Sequence, residues 1–425
     1  MKRRVVVSGM GMVTPAGIGL EPNWQNVVEG KSMALPVNDL PVSVAAQIRD
    51  FRPEEYIKDR RILRFLPPED GYGIASAKMA LEDAGFKAGE VDLGEGGVYL
   101  GSSKEITWPD WIFSALPEST DEDESVYTRK FGTQAMQKIN PLHSLQHYLP
   151  NACLYYISQI FKLHGANNNF ITSEVASLQA VGEAFYAIRE GDSDLILAGG
   201  FDSTLNRASA SCLGSLGLLS RSHDPRGACR PFDHLRDGTV LGEGAGMVVL
   251  EELSQALARR ARIYAEILGF SSTTNPEISI PHSKSLSLAI EKSLSEGSIS
   301  PSEVGYINLQ GNATQMGDIV ETQALKMALG NSVYDIPLSS TKPITGHLRA
   351  ASGVVGLIHA SLTLNHGILP PTANYQYPDP ECDLDYIPGE PRKADLNVAV
   401  SLNYGGGRNA AVVVRRFSYL PFFLR

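Results

Sequence analysis

The strongest constraint on the fold is an alternation of short apolar runs with helical stretches along most of the chain. Strands that alternate with helices build an α/β fold in which most strands are buried. The predicted strands lie at residues 4–8, 97–100, 169–172, 195–198, 247–250, 265–270, 305–309, 398–402 and 411–415. The most regular helical patterns lie at residues 73–84, 175–190, 285–296, 318–329 and 351–365.

The order of elements in the first half of the chain recurs in the second half. A segment that leads from a helix into a strand at 85–100 is echoed at 301–309, where a Gly-rich loop follows the strand. We therefore predict two similar α/β halves, at 1–255 and 256–418, followed by a C-terminal tail at 419–425. A weakly periodic region at about 105–150 is predicted to be an inserted interface or cap region. The acidic run at 119–124 within it is expected to be a solvated loop.

Net charge limits the classes of partner. The 425 residues carry a formal charge of −10, which argues against a nucleic-acid binder because such affinity depends on Lys and Arg. After Met1 the chain has a basic and then a short apolar stretch of about six residues. That run ends at Gly9 and is too short for a signal peptide or a membrane span. We expect a cytoplasmic protein that binds neither nucleic acid nor membrane.

The cysteines and glycines give no sign of a metal or cofactor. Cys153, Cys212, Cys229 and Cys382 are scattered, without metal-ligand spacing. We expect four reduced, mostly buried thiols and no metal site. The chain has no phosphate-binding GxxxxGK[ST] loop, and Thr14 stands at the third glycine of a would-be GxGxxG. No cofactor is predicted, and the glycines near residue 10 are expected to allow close backbone packing.

Four separated motifs carry a family resemblance over nearly the whole chain. They are the opening VVVSGMGMVTPAG, the central RPFDHLRDGTVLGEGAG, the loop STKPITGHL, and the C-terminal PPTAN with NYGGGRN. In this order they resemble the β-ketoacyl-ACP synthases. The resemblance implies a thiolase-like fold, in which two similar βαβαβ halves form a layered α-β-α-β-α core.

The chemistry of that family depends on a thiolate that accepts the acyl chain. A cysteine at a strand-to-helix elbow gains thiolate character from the helix N-terminus. Donors around the site stabilise the thioester oxyanion and the enolate that forms when malonyl loses CO₂. The family pattern around this cysteine aligns without a gap onto 172–184 of this chain. The nucleophile then falls on Glu174, and Ser177 replaces a glycine.

The other site positions are partly kept. The family's first histidine falls on Gln310, in a segment whose register is fixed by flanking residues of 308–318. The second histidine is His347 and the supporting lysine is Lys342. A carboxylate is a poor acyl acceptor, and losing a nucleophile costs on the order of a millionfold in turnover. We therefore expect no residue of this chain to act as the nucleophile.

Several alternatives stay open at these positions. Glu174 is expected either to be a carboxylate at a helix N-terminus or to pair with a buried base such as Lys342. Ser173 is a weaker candidate nucleophile because it lies one position early. His347 and Lys342 are also compatible with a structural role. Three further acidic residues are predicted to accept backbone donors rather than bind a metal: Asp233, Asp237 and Glu243.

A condensing fold without the cysteine resembles, in particular, the chain-length factor of bacterial type II polyketide synthases. That resemblance implies a non-catalytic subunit that pairs with a catalytic ketosynthase, shapes the tunnel for the growing polyketide and meets acyl carrier protein through the complex. The alternatives are a malonyl-ACP decarboxylase and a homodimeric β-ketoacyl-ACP synthase. Against decarboxylation, a charged Glu174 would repel the malonyl carboxylate at short range.

Overall fold

The computed structural model describes residues 2–86, 93–104, 114–123, 125–138, 149–277 and 281–418. The tail at 419–425 and large parts of the region at 105–150 lie outside the described residues. The strands are β1 (Val5–Thr14), β2 (Gly17–Ile18), β3 (Leu35–Pro36), β4 (Val44–Ala46), β5 (Gly97–Gly101), β6 (Asn167–Phe170), β7 (Leu195–Ser203), β8 (Leu241–Glu252), β9 (Ala265–Thr274), β10 (Tyr306–Asn308), β11 (Leu338–Ser339), β12 (Ile368–Leu369), β13 (Arg392–Lys393), β14 (Val398–Gly405) and β15 (Arg408–Arg416).

The helices fall mainly between the strands, as the alternating pattern predicts. They are α1 (Leu20–Val28), α2 (Arg60–Leu63), α3 (Pro68–Asp83), α4 (Thr128–Lys138), α5 (Ala152–Phe161), α6 (Ala176–Glu190), α7 (Arg207–Ser215), α8 (Leu253–Ala258), α9 (Ser283–Gly297), α10 (Gln315–Leu329), α11 (Lys342–Thr345) and α12 (Ser352–His366). Short 3₁₀ turns at Ser173–Val175 and Arg349–Ala351 precede α6 and α12.

The sheet repeats one strand order in both halves. In the first half the order is β6-β5-β7-β8-β1, and in the second it is β11-β10-β14-β15-β9. In each half the first two pairings are parallel and the last two are antiparallel. An antiparallel pairing of β1 with β9 joins the two sets. The prediction of two similar α/β halves is therefore confirmed, while the boundary at residues 255 and 256 stays a prediction.

The first strand packs against α3 with almost no space between the backbones. A Cβ atom at Gly9 or at Gly11 would overlap the backbone of α3. Glycine is therefore required at both positions for this approach. The expected role of these glycines is confirmed, although they lie inside β1 rather than after the strand.

Helices α6 and α12 belong to the main apolar core of the protein and contact each other near their N-termini. A Cβ atom at Gly353 would lie 2.8 Å from the Cβ of Leu178. The backbone N–H of Val354 donates to the Ser177 hydroxyl at 3.1 Å. Ser177, which replaces a glycine of the resembled pattern, therefore ties the two helices together. The 3₁₀ turns that precede these helices are brought side by side.

One strand differs from its prediction. The segment at 169–172 was expected to be a buried strand, but β6 spans Asn167–Phe170 and is exposed or half-buried along its length. Its position explains the difference, because β6 is the last strand of the sheet order and pairs on one side with β5. The apolar residues Phe170 and Ile171 do not outweigh the three asparagines before them.

Two structural features bear on the predictions about membranes and metals. Among the described residues, no helix has both the length and the apolar character needed to cross a membrane. Within the same ranges, no group of three or more His, Cys, Asp or Glu side chains is arranged to hold a metal ion. All four cysteines are free thiols, and Cys212 is the exposed one.

Candidate active site

The strand-to-helix elbow is built on a strained residue. Ser173 has a φ of 57°, in the left-handed region that non-glycine residues seldom adopt. The turn Ser173–Val175 follows it, and α6 begins at Ala176 without a side-chain cap. Glu174 therefore stands at the tip of the elbow, just before the helix. This is the helix N-terminal position that was one of the two alternatives for Glu174, although its side chain makes no capping hydrogen bond.

A second strained residue faces the first. Arg349 opens the turn before α12 with a φ of 47°, and its Nη2 donates to the Ser173 hydroxyl at 3.4 Å. Conformations of this kind cost about 1–3 kcal/mol each and tend to occur at functional sites. Sequence reasoning missed Arg349, since it is 175 positions away from Glu174 and no motif position marks it as a site residue.

Glu174 has two basic neighbours at similar distances. Its Oε1 lies 3.9 Å from Nε of Arg349 and 4.0 Å from Nε2 of His347. The side chains are 13% exposed for Glu174 and 7% for each neighbour. The nearest cation is thus Arg349. Glu174 faces this guanidinium at 3.9 Å rather than forming the expected pair with Lys342.

Gly405 provides the space that the Glu174 side chain occupies. A Cβ atom at Gly405 would lie 2.6 Å from Cδ and Oε2 of Glu174. Gly406 and Gly407, which follow, have φ values of 54° and 76° and close the hairpin between β14 and β15. Two positive φ values are typical of a type I′ turn, for which glycine is favoured. The Gly-rich loop therefore turns tightly beside the elbow.

Burial keeps His347 neutral. Its backbone N–H donates to Val240 at 2.8 Å, and its Nδ1 lies 3.3 Å from the Ser352 hydroxyl. Desolvation, with the positive charges of Lys342 and Arg349, lowers the pKa of His347 well below its ordinary value. A Ser352 hydroxyl that donates to Nδ1 leaves the ring proton on Nε2, the nitrogen that faces Glu174.

Gln310 is committed to other partners. Its Nε2 donates to the Tyr404 carbonyl at 2.8 Å, and its Oε1 accepts from Asn403 at 2.7 Å. Its backbone N–H donates to Glu321 at 2.8 Å. The side chain is fully buried and does not line the cavity at the elbow. Gln310 therefore holds the β14 backbone, and the structure does not bring it to Glu174.

Lys342 lies behind the site rather than in the cavity. It is the first residue of α11 and is buried. Desolvation lowers its pKa to about 8, although the carboxylates of Glu321 and Asp318 oppose the shift. Burial in turn raises the pKa of Glu321 to about 7. Lys342 belongs to a buried charged cluster that supports the loop carrying His347.

The elbow faces a cavity of about 120 Å³. Glu174 and His347 both line it, so the structure brings these two predicted positions together. Ser173 does not line the cavity, which agrees with its weak candidacy as a nucleophile. Each of the four cysteines lies in the described part of the chain, and none lines this cavity. The remaining lining residues are Leu213, Leu218, Thr239, Asn275, Pro281, Asn312, Thr314, Tyr404, Gly405, Gly406 and Gly407.

The three acidic residues outside the elbow accept hydrogen bonds, as predicted. Asp233 accepts from three backbone N–H groups, and Asp237 accepts from Ser220 and the backbone of Arg221. Glu243 accepts from the backbone of Ile48 at 3.0 Å. These hydrogen bonds explain the three carboxylates, and no bound ligand is needed to account for them.

Family models match most of the chain. The model described as "Beta-ketoacyl synthase, N-terminal domain" matches residues 2–256, and "Beta-ketoacyl synthase, C-terminal domain" matches residues 264–376. A curated relative, 3-oxoacyl-[acyl-carrier-protein] synthase 2 of Synechocystis sp., is 32% identical over 98% of this chain and 99% of its own length. The thiolase-like ketosynthase fold is therefore confirmed.

Two solved structures are also similar. A beta-ketoacyl synthase from Burkholderia phymatum has a TM-score of 0.87 at 29% identity, over 98% of this chain and all of that one. The ishigamide ketosynthase/chain length factor has a TM-score of 0.85 at 26% identity, with the same coverage. The prediction of a non-catalytic, chain-length-determining subunit is wrong. A relative that covers 98% of the chain at 32% identity is a synthase, and so is the Burkholderia structure.

Proposed function

The chain belongs to the beta-ketoacyl synthase family, and from this membership we propose that it is a homodimeric enzyme that acts on thioesters of acyl carrier protein. The name of the Synechocystis relative supports the carrier protein as the partner. One of the two donors of the resembled site, His347, is kept at the cavity. The other is replaced by Gln310, and the acyl-accepting thiol is replaced by Glu174. The reaction that such a site supports is decarboxylation of malonyl-ACP to acetyl-ACP.

The observation that carries this proposal is the neutral His347 at the cavity. Its Nε2 lies 4.0 Å from Glu174 Oε1, next to the position where the thioester would bind. When the C–C bond of the malonyl group breaks, CO₂ leaves and its electron pair forms an enolate. An N–H donor at the enolate oxygen stabilises that charge. A proton from water then completes the acetyl thioester, and no acyl-enzyme is needed.

Arg349 removes the objection that Glu174 would repel the malonyl carboxylate. Its guanidinium lies 3.9 Å from Glu174 Oε1 in a buried setting. Charges at this distance interact strongly where water is excluded. The pair is therefore close to neutral as seen by an arriving anion. The sequence shows Glu174 but not its pairing with Arg349, so the repulsion expected from the sequence alone is too large.

An exposed sheet edge supports the homodimer. Strand β6 ends the sheet order, and its only strand partner among the described residues is β5. Its asparagines at 167 and 168 are exposed, and Asn169 is half-buried. An open edge of this kind presents unpaired backbone groups that a second copy of the same strand can bond. Native mass spectrometry of the purified chain is expected to show a dimer.

The test of the activity is CO₂ release from malonyl-ACP by the isolated chain. Loss of one donor from an oxyanion site costs about 10²–10³-fold in rate, so His347→Ala is expected to lower CO₂ release by that factor. His164→Ala, at an exposed histidine away from the cavity, is the matched control. Wild-type protein that releases no CO₂ above the blank would overturn the proposal. A His347→Ala variant as active as wild type would exclude the assigned donor.

A further inference from the structure

The surroundings of Glu174 leave two gaps of the same size. Its Oε1 lies 3.9 Å from Arg349 Nε and 4.0 Å from His347 Nε2. Both distances are too long for a hydrogen bond but short enough for one oxygen atom to bridge. Glu174 Oε2 and Arg349 Nε are also buried without a hydrogen-bond partner among the described residues. Buried polar atoms of this kind call for a partner, so the site is suited to a bound oxygen.

The cavity has room for that oxygen. Its volume is about 120 Å³, whereas one water occupies roughly 30 Å³ of liquid. Glu174 and His347 both line it. A water between them would have two polar partners, which is the lower end of what an ordered water needs. The same cavity is where the thioester of the proposed function would bind.

We propose that Glu174 is a general base that activates water, so that the protein also hydrolyses acyl thioesters of carrier protein. This activity rests on the proposed binding of acyl-ACP but not on decarboxylation. Glu174 Oε1 takes a proton from water while the water oxygen attacks the thioester carbon. The C–S bond of the tetrahedral intermediate then breaks. The proton held by Glu174 passes to the departing sulfur, which gives a free carboxylic acid and the carrier thiol.

The chemistry of carboxylates favours this role over a nucleophilic one. Attack by Glu174 on a thioester would give a mixed anhydride, which is more reactive than the thioester it came from. The carrier thiol would reverse that step at once. A base that acts through one water avoids the anhydride and needs only hydrogen-bond reach to the water. The gaps around Oε1 provide that reach.

The experiment measures thiol release from acetyl-ACP by the isolated chain, with a colorimetric thiol reagent. A positioned general base contributes about 10²–10⁴-fold, so Glu174→Gln is expected to lower thiol release by about 100-fold or more. Glu190→Gln is the control, because it also removes one negative charge. Glu190 is exposed at the C-terminal end of α6, the helix that follows Glu174. Reaction in ¹⁸O-water is expected to place the label in the released acetate, and intact mass is expected to show no acyl adduct.

The outcomes separate this proposal from the proposed function. CO₂ release from malonyl-ACP without thiol release from acetyl-ACP overturns the hydrolase and leaves the decarboxylase standing. Thiol release that persists in Glu174→Gln overturns the role of Glu174. An acyl adduct on the polypeptide overturns the general-base mechanism. Thiol release from acetyl-ACP that depends on Glu174, in a protein that releases no CO₂, supports the hydrolase and overturns the decarboxylase.

Discussion

A methyl group at Gly405 is expected to displace the Glu174 side chain. The new Cβ would lie 2.6 Å from Cδ and Oε2 of Glu174 and 2.7 Å from its Cγ. Favourable contacts between carbon atoms fall at about 3.5–4.0 Å. The overlap is therefore about 1 Å, which the buried elbow cannot absorb without moving. Overpacking of this kind costs about 1–3 kcal/mol. Gly405 also has a φ of 157°, and backbone strain adds roughly 1 kcal/mol.

A double-mutant cycle isolates the steric contribution. In Glu174→Ala the atoms that the new Cβ would meet are gone, so Gly405→Ala is expected to cost only the backbone strain. The coupling between the two substitutions is then about 1–3 kcal/mol, the difference between the two backgrounds. Urea unfolding of the wild type, both single variants and the double variant measures it.

The neighbouring glycine is the matched control. Gly406 has a φ of 54°, and a Cβ there would lie 3.1 Å from the Ser173 Cβ and 3.3 Å from Glu174 Oε2. Gly406→Ala is expected to carry comparable backbone strain but a smaller coupling to Glu174. If Gly405→Ala costs the same free energy with and without the Glu174 side chain, the carboxylate does not lie against Gly405, and the geometry assigned to the site is refuted.

Three further predictions concern the charged groups of the site. Glu174→Cys is not expected to restore condensation, because Gln310 stays bonded to Tyr404. Formation of 3-oxoacyl-ACP by this variant would contradict the prediction. Arg349→Met is expected to lower the free energy of unfolding by about 3–5 kcal/mol by leaving a buried carboxylate unpaired, and less in a Glu174→Gln background. Lys342 has a pKa of about 8 in the folded protein, so between pH 8 and 10.5 the unfolded chain binds the extra proton. The free energy of unfolding of the wild type, relative to that of Lys342→Met, should therefore rise by up to about 1.4 kcal/mol per pH unit in that range. If urea unfolding shows the same pH dependence for both proteins, the prediction is wrong.

The sequence was sufficient for the fold, whereas the register of the site rests on motif alignment and stays a prediction. Buried strands and amphipathic helices are local patterns, and the repeated strand order follows from them. Glu174, Gln310, His347 and Lys342 were placed by motif alignment alone. Two of them, Glu174 and His347, meet at the cavity.

The sequence could not supply the contacts that decide the chemistry. Arg349 lies beside Glu174 although the two are 175 positions apart in the sequence. Gly405, near the C-terminal end of the chain, leaves space for the Glu174 side chain. Gln310 has the right register for a donor, yet its side chain is bonded to Tyr404 and Asn403. Such pairings depend on the closed tertiary structure. They are invisible to periodicity and spacing.

The functional error had a definite physical source. The loss of a thiol removes transfer of the acyl chain to the enzyme, and the prediction of a non-catalytic subunit followed from that loss, with decarboxylation only as an alternative. Decarboxylation and hydrolysis need no acyl-enzyme, and the proposals above assign His347 as the donor and Glu174 as the base. The prediction of a buried strand at 169–172 was also wrong, because this strand lies at the edge of the sheet. Its asparagines belong to a boundary of the sheet rather than to its interior.

The most direct test of the central claim combines two readings on one sample. Malonyl-ACP labelled in both carboxyl positions is incubated with the isolated chain, and released CO₂ is counted while the intact mass of the polypeptide is recorded. A carboxylate in place of the thiol, beside a retained donor, predicts CO₂ release with no acyl group on the chain. A stable acyl adduct, or a complete lack of CO₂, would contradict it.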